Sequence, residues 1–304
     1  MVRFIVQSDT HNLRGKWRAI RGYCEKRGVK AILDAGDASD FQHGERGETD
    51  FDHHRILEQI AQIHQAAQER KIPGEQADLA IRDTISRFKR YAFKEGEEQA
   101  RELAGWGGTL LYRPGNHDSL PFLEGMKKAG WKNIKVLDEQ PTSLEGLTIL
   151  GGTSYYESGG LQTADPTLYN KPEPRSFFGK ENGNGKKGKD LSRHPFVEAY
   201  ARTRPVTISL NHKGIGPHAI APGDSSGWHK GLEEAVKRAG VRLSFSGHSH
   251  TAAIKMTERG LDLVASPDIS FDVRVSENGE VESVTVLEYV YPKRPYQVEM
   301  FSLN

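Results

Sequence analysis

Val2-Arg3-Phe4-Ile5-Val6-Gln7-Ser8-Asp9-Thr10-His11 opens the chain, and Ala31-Ile32-Leu33-Asp34-Ala35-Gly36-Asp37 follows a similar plan. In both, a short β-rich apolar run leads into a polar stretch that carries a carboxylate. Between them, residues 15–27 place Trp17, Ile20 and Cys24 at helical spacing. A strand–helix–strand opening favours a parallel strand pair and an α/β fold. Thr109–Tyr112 is a third run of the same kind. Leu147–Leu150, residues 206–210 and residues 242–245 continue the series. Residues 261–265, Ile269–Val275 and Val281–Tyr289 predict a strand-rich C-terminal part. Asn278-Gly279 is a strong hairpin signal between the last two. No repeat of fixed period is present.

Two segments interrupt the scheme. Residues from about 45 to 105 are mostly polar with helical periodicity. One helix is predicted over about 51–71, with Ile56, Ile60 and Ile63 on one face, and Pro73-Gly74 ends it. A second is predicted from about 76 towards 103, with Leu79, Ile81, Ile85, Phe88 and Tyr91 as its apolar positions. This insertion is expected to form a cap-like subdomain or an oligomer contact near the site. The second interruption, about 157–203, is rich in Gly, Pro, Asn and Lys. Its tract from Gly179 to Lys189 has no apolar residue and predicts a mobile loop. The whole is expected to be one domain.

Composition narrows the function classes. The chain has 304 residues, a formal net charge of +1 and 27% charged residues. A globally basic nucleic-acid binder and a disordered chain are both disfavoured. No apolar run approaches the ~18 residues that a membrane span needs. The first residues lack the apolar core of a signal peptide. Cys24 is the one cysteine, so an internal disulfide and a Cys-rich zinc site are excluded. A soluble cytoplasmic protein is expected.

The chemistry lies in five polar motifs, each after an apolar run. Asp9-Thr10-His11 sets a carboxylate and an imidazole two residues apart, which continued extension would direct to one face. Gly36-Asp37-Ala38-Ser39-Asp40 offers Asp37 as a carboxylate able to give one oxygen to each of two cations, and its glycine lets the backbone come close. Asp40 could instead cap the following segment. Gly115-Asn116-His117-Asp118 supplies a neutral carbonyl oxygen, an imidazole able to donate to a phosphate or leaving group, and a carboxylate able to orient that imidazole. His212 stands alone after its apolar run. Gly247-His248-Ser249-His250 again spaces two imidazoles by two residues. Each motif has a bland reading as a solvated turn or a core histidine. The conjunction carries the inference.

The set resembles the calcineurin-like metallophosphoesterase family: Asp-x-His, Gly-Asp-x-x-Asp, Gly-Asn-His-Asp/Glu, a lone His and Gly-His-x-His, all present without substitution between Asp9 and His250. The resemblance implies a four-layer α/β/β/α fold, a sandwich of two β-sheets flanked by helices, with the site at the carboxyl ends of strands. It implies one metal held by Asp9, His11, Asp37 and His250, and a second held by Asp37, Asn116, His212 and His248. It also implies that His117 is the phosphate-contacting proton donor and that Asp118 orients it. Two divalent metal ions follow, manganese first, with iron, zinc or nickel as alternatives for this N/O donor set. A water or hydroxide bridging them would attack phosphorus in line.

The predicted function is therefore hydrolysis of a phosphomonoester or small phosphodiester. The substrate is a small phosphorylated molecule, nucleotides included, with no membrane partner. The alternative is a metal-dependent nuclease acting on DNA or RNA. Near-neutral charge argues against that alternative, and Lys180, Lys186, Lys187 and Lys189 argue for it. A non-enzymatic scaffold would have lost ligands, and none is missing. Some features stay open. His43, Asp50, Asp52, His53 and His54 could form a further metal site or a solvated helix start. Lys213 could touch a phosphate or be solvated. Tyr155, Tyr156, Trp228 and His229 could line the pocket or pack.

Overall fold

The computed structural model describes residues 1–11, 14–39, 53–115, 117–129, 133–137, 140–151, 195–203, 205–220, 233–289 and 298–302, without the side chains of 53–55, 57–58, 195–197 and 298–302. Among the described residues, thirteen strands form two sheets. The first has seven strands in the order β13 (Val298–Ser302), β12 (Val281–Tyr289), β11 (Ile269–Val275), β1 (Val2–Gln7), β2 (Ala31–Asp34), β3 (Thr109–Tyr112) and β4 (Ile134–Val136). The second has six: β5 (Thr142–Leu144), β6 (Leu147–Leu150), β7 (Ile208–Leu210), β8 (Leu243–Ser246), β10 (Leu261–Val264) and β9 (Ala253–Met256). Strands β1 to β4 run parallel, as do β6, β7, β8 and β10; β5, β9, β11, β12 and β13 are antiparallel to their neighbours.

Period-two alternation sorts the side chains into layers. Val2, Phe4 and Val6 of β1 and Leu33 of β2 face the core between the sheets, where they meet Ile208, Leu210, Leu243, Phe245 and Leu263. Ile5, Ile32 and Leu110 face the other way, against a helical layer. That layer holds α1 (Arg14–Arg27), α2 (His53–Gln68), α3 (Gly74–Glu102) and α4 (Leu120–Lys128). Beyond the second sheet, Leu150, Val206 and Val241 pack on α5 (Pro195–Arg202) and on helical residues 233–238. The order is helices, sheet, sheet, helices, as the motif resemblance implies.

Local chemistry explains several boundaries. α1 buries Trp17, Ile20 and Cys24 and ends where Gly28 takes φ +67, with the Val29 N–H donating to the Cys24 carbonyl. A left-handed glycine closing the last turn is a common helix stop. The β11–β12 hairpin turns at Gly279 (φ +78), whose N–H donates to the Ser276 carbonyl. The predicted helical insertion is two helices, α2 and α3. They do not stand off from the domain. Ile56, Ile60, Ile81, Phe88 and Ala92 share one core with Ile5, Ile32 and Leu110 of the sheet. α3 also crosses α4 closely: a Cβ on Gly96 would sit 2.0 Å from the Phe122 carbonyl oxygen, and one on Gly125 would sit 2.0 Å from that of Phe93. Leu79, on the predicted apolar face, is instead 70% exposed. It lies two residues from the buried Ala77 and Ile81, on the opposite side of α3. The short strands β4, β5 and β9 and the helices α4 and α5 have too few periodic residues to be read from sequence. The Gly/Lys tract lies outside the described residues.

Among the described helices, none is long and apolar enough to cross a membrane. On β10, the neighbours Leu261 and Leu263 face the inter-sheet core, and Asp262 points to the other face. There it accepts from Arg259 at 3.0 Å and lies 3.6 Å from His218 Nε2. Burial pushes Asp262 up to about 6, although Arg259 acts in the opposite sense. Between about pH 4 and 6 the folded chain thus holds a proton that the unfolded chain has released. This contribution is complete below the unfolded pKa and is lost as pH rises through the folded one. In denaturant titrations, wild-type stability minus that of Asp262→Asn is expected to fall by about 1–2 kcal/mol from pH 4 to 7, after discounting for solvent screening. A difference that is flat or rises with pH would contradict the assignment.

Candidate metal centre

Every described motif residue lies just past the carboxyl end of a parallel strand: β1, β2 and β3 in one sheet, β7 and β8 in the other. The loops at β1, β2 and β8 are bent tightly. Asp9 (φ 53), His11 (φ 39), Asp37 (φ 57), His248 (φ 65) and His250 (φ 55) all adopt the left-handed region. They are five of the seven non-glycine residues with positive φ among those described. The conformation costs a side-chain-bearing residue on the order of 1 kcal/mol or more and clusters at functional sites.

Hydrogen bonds between the loops hold it. The Asp9 N–H donates to the Gly36 carbonyl (2.8 Å) and the His11 N–H to that of Asp37 (2.9 Å). The His117 N–H donates to Asp37 Oδ1 (2.8 Å), and the His248 N–H to Asp9 Oδ2 (2.9 Å).

The side chains converge in two groups. In the first, Nε2 of His11 lies 2.9 Å from Nε2 of His250, and Asp9 Oδ1 lies 3.7 and 3.4 Å from these two nitrogens. In the second, His212 Nε2 lies 3.1 Å from His248 Nδ1 and 3.0 Å from Asp37 Oδ2. Within each triplet the ligand atoms lie within 4.8 Å of one another. Asp9, His11, Asp37 and His212 are buried, His248 is half-buried and His250 is exposed, so the cluster opens to solvent on one side.

The donor chemistry suits a cation. The Ala35 carbonyl, an acceptor, lies 2.9 Å from His212 Nδ1, so that nitrogen carries the hydrogen. In the neutral ring Nε2 then presents a lone pair towards Asp37. Two imidazole nitrogens and a carboxylate oxygen drawn together suit a divalent metal, and the two triplets are linked by the His248 N–H bond to Asp9. Burial works to raise Asp9, but the His250 hydrogen bond and, where the His212 ring is protonated, its charge prevail and bring it down to about 2. Burial likewise opposes ionisation of Asp37, and His212 and His117 hold it well below the usual carboxylate range. Both carboxylates are therefore ionised over the ordinary pH range.

His117 is partly exposed beside these groups. Its Nε2 lies 4.0 Å from Asp37 Oδ2, and its ring stands edge-on to His11 at 5.7 Å. Asp118 is buried behind the loops. Its carboxylate accepts from the N–H groups of Asp37 (2.9 Å), Ser39 (2.9 Å) and Gly115 (2.6 Å) and from the Tyr112 hydroxyl. Asp118 holds together the loops after β2 and β3. Burial, then the charge of Asp37, pushes its pKa up. Lys213 is buried, so the solvated reading does not hold. Asn116, Asp40, His43, Asp50, Asp52, Tyr155, Tyr156, Trp228 and His229 lie outside the described residues, as do the side chains of His53 and His54.

Sequence reading misses the polar bed beneath the loops. Gln7 and Asp34, in register at the ends of β1 and β2, hydrogen-bond through Gln7 Nε2 at 2.5 Å, and Asp34 also accepts from the Gly36 N–H. Lys16, fully buried on α1, donates to the Ser8 and Ser266 carbonyls. Burial pushes Asp34 up to about 8 and Lys16 down to about 8. The available signal was a polar residue at the same end of two adjacent apolar runs.

A family model described as calcineurin-like phosphoesterase matches residues 2–252. No curated protein matches the chain in sequence. Among solved structures, a dimetal phosphatase from Danio rerio is similar at 11% identity and TM-score 0.53, covering 99% of each chain. A Thermus thermophilus protein, TT1561, is similar at 10% identity and TM-score 0.53, covering 90% of this chain and 94% of that one. At such identities the likeness is one of fold.

Proposed function

The chain belongs to the calcineurin-like phosphoesterase family and is a metal-dependent phosphoric ester hydrolase, and from that premise we propose that it hydrolyses a phosphomonoester or small phosphodiester at a dinuclear centre. The observation that carries this reading is the pair of converging triplets, Asp9–His11–His250 and Asp37–His212–His248. In this reading Asp9, His11 and His250 hold one ion, and His212, His248 and Asn116 hold the other. Asp37 would be shared by the two. Manganese is the ion we favour, with iron, zinc or nickel compatible with the same donors.

Two divalent cations supply Lewis acidity towards the phosphoryl group and lower the pKa of water into the working range. The chain's own residues do the rest. Asp37 and Asp9, ionised and buried, fix the positive charge in place. The Ala35 carbonyl fixes the tautomer of His212. His117, partly exposed and close to Asp37, is placed to hydrogen-bond a phosphoryl oxygen and to pass its proton to the departing oxygen.

The test uses metal-stripped protein re-supplied in turn with Mn, Ni, Zn, Fe and Mg, acting on a p-nitrophenyl monoester and a bis-p-nitrophenyl diester. Turnover is expected only with metal, and the preferred ester gives the substrate class. His117→Asn is expected to lower kcat by about 10²–10⁴-fold with metal content unchanged, the range for losing a positioned proton donor. Full turnover without metal would overturn the proposal. Full turnover in the variant would remove His117 from it.

A further inference from the structure

One buried polar network takes no part in the chemistry at the metals, and it belongs to the helical insertion. On α3, Glu95, Glu98 and Gln99 fall on one face by their three- and four-residue spacing. Gln99 is 1% exposed, and its amide nitrogen donates to the Ala38 carbonyl at 2.9 Å and to Glu95 Oε1 at 3.2 Å. Ala38 is the residue after Asp37. Glu95 is 3% exposed, and its other oxygen accepts from Arg14 at 3.0 Å; Arg14 also donates to Glu98 at 2.6 Å. Arg14 opens α1, three residues beyond His11.

One turn of α3 thus grips two of the first sheet's ligand-bearing loops, that of Asp9 and His11 and that of Asp37, one at each end of the chain Arg14–Glu95–Gln99–Ala38. These are the loops with left-handed residues at Asp9, His11 and Asp37, a conformation that persists only where the surroundings impose it. Buried hydrogen-bond networks of this kind stiffen what they join.

We propose that the Glu95–Gln99 turn is a clamp that braces the Asp9/His11 loop and the Asp37 loop from behind, in addition to their direct N–H bonds, with Gln99 as the positioning residue for Asp37. The inference rests on the dinuclear reading, because the orientation it braces is the one from which Asp37 would reach both ions. It gives the insertion a role in metal-pair assembly.

The experiment is Mn²⁺ titration of the metal-stripped full chain by calorimetry, with electron paramagnetic resonance to detect the exchange-coupled ion pair. The proteins are wild type, Gln99→Met and Arg14→Met. Gln99→Met keeps length and removes the donor. It is expected to weaken uptake of the second ion about tenfold and to reduce the coupled signal, the scale seen when a group supporting a ligand is lost. Arg14→Met, at a partly exposed position, is expected to act in the same direction more weakly. It decides the matter if Gln99→Met does not fold. A merely structural role would lower the melting temperature and leave second-ion affinity and coupling unchanged, which overturns the clamp. Wild type that takes up one ion or none overturns the dinuclear reading itself. Wild type that binds a coupled pair equally well in both variants overturns the clamp alone.

Discussion

Replacing Asp37 with alanine is expected to lower kcat/KM for the preferred chromogenic ester by at least about 10³-fold and to cut bound metal below two ions per chain. Three features combine at this residue. Its Oδ2 lies 3.0 Å from His212 Nε2 in one triplet and 4.0 Å from His117 Nε2 on the substrate side. Its Oδ1 accepts the His117 N–H, so the carboxylate also holds the loop that bears His117, the proposed proton donor. Its charge is buried and opposes the imidazoles around it. A cation pair contributes several kcal/mol of charge stabilisation at phosphorus, and about 4 kcal/mol corresponds to 10³ in rate. Asp37→Asn keeps the shape and the amide contact but gives up the charge. It should bind the second ion more weakly than wild type and better than alanine. Elemental analysis of the dialysed proteins alongside initial rates checks both points. Two ions per chain in Asp37→Ala, with turnover within tenfold of wild type, would show that Asp37 is not shared.

The residues that touch a ligand are more legible in a sequence than the residues that hold them. Asp9, His11, Asp37, His212, His248 and His250 are polar breaks after apolar runs, and such breaks at the ends of parallel strands point to a site. The strands themselves were readable where burial is on both faces, as in β1 and β2. What could not be read depends on distance in the chain. Gln99 meets Ala38 across 61 residues, and Asp118 meets Ser39 across 79. Nothing local marks either partner, since a glutamine on a polar helix reads as solvated. The insertion shows this most clearly. Its helices were predicted from Ile56, Ile60, Ile81 and Phe88, but the same pattern serves a cap and a core-packed layer. Only the shared core with Ile5, Ile32 and Leu110 tells them apart. Asp118 is the converse case: its motif marks it, but its bonds to the Asp37, Ser39 and Gly115 N–H groups are not marked.

Gly36→Ala is expected to be the most destabilising small substitution in the site, by about 3 kcal/mol or more, which in a chain of this size lowers the melting temperature by at least about 5 °C. Gly36 has φ +100, where an L side chain is strained before any neighbour is counted. A Cβ there would also lie 2.3 Å from Gly115 N and 2.4 Å from the Arg113 carbonyl oxygen, and both are backbone atoms with no rotamer to change. Asp118 fixes Gly115 from behind, and the Arg113 N–H is bonded to the Asp34 carbonyl, so neither strand end can swing aside. Gly28 is the control. It has φ +67 with nothing within 4 Å of a built Cβ, so Gly28→Ala carries conformational strain alone, about 1 kcal/mol. Gly247→Ala separates a third effect: its Cβ would lie 1.8 Å from Ser8 Oγ and 2.2 Å from Asp9 Oδ2. Side-chain atoms can shift where backbone cannot. This variant should therefore keep more stability than Gly36→Ala and lose more metal affinity than its stability loss explains, because the atom that moves is a candidate ligand. Equal melting temperatures for Gly36→Ala and Gly28→Ala would mean that the β2 and β3 loops do not cross as closely as the geometry requires.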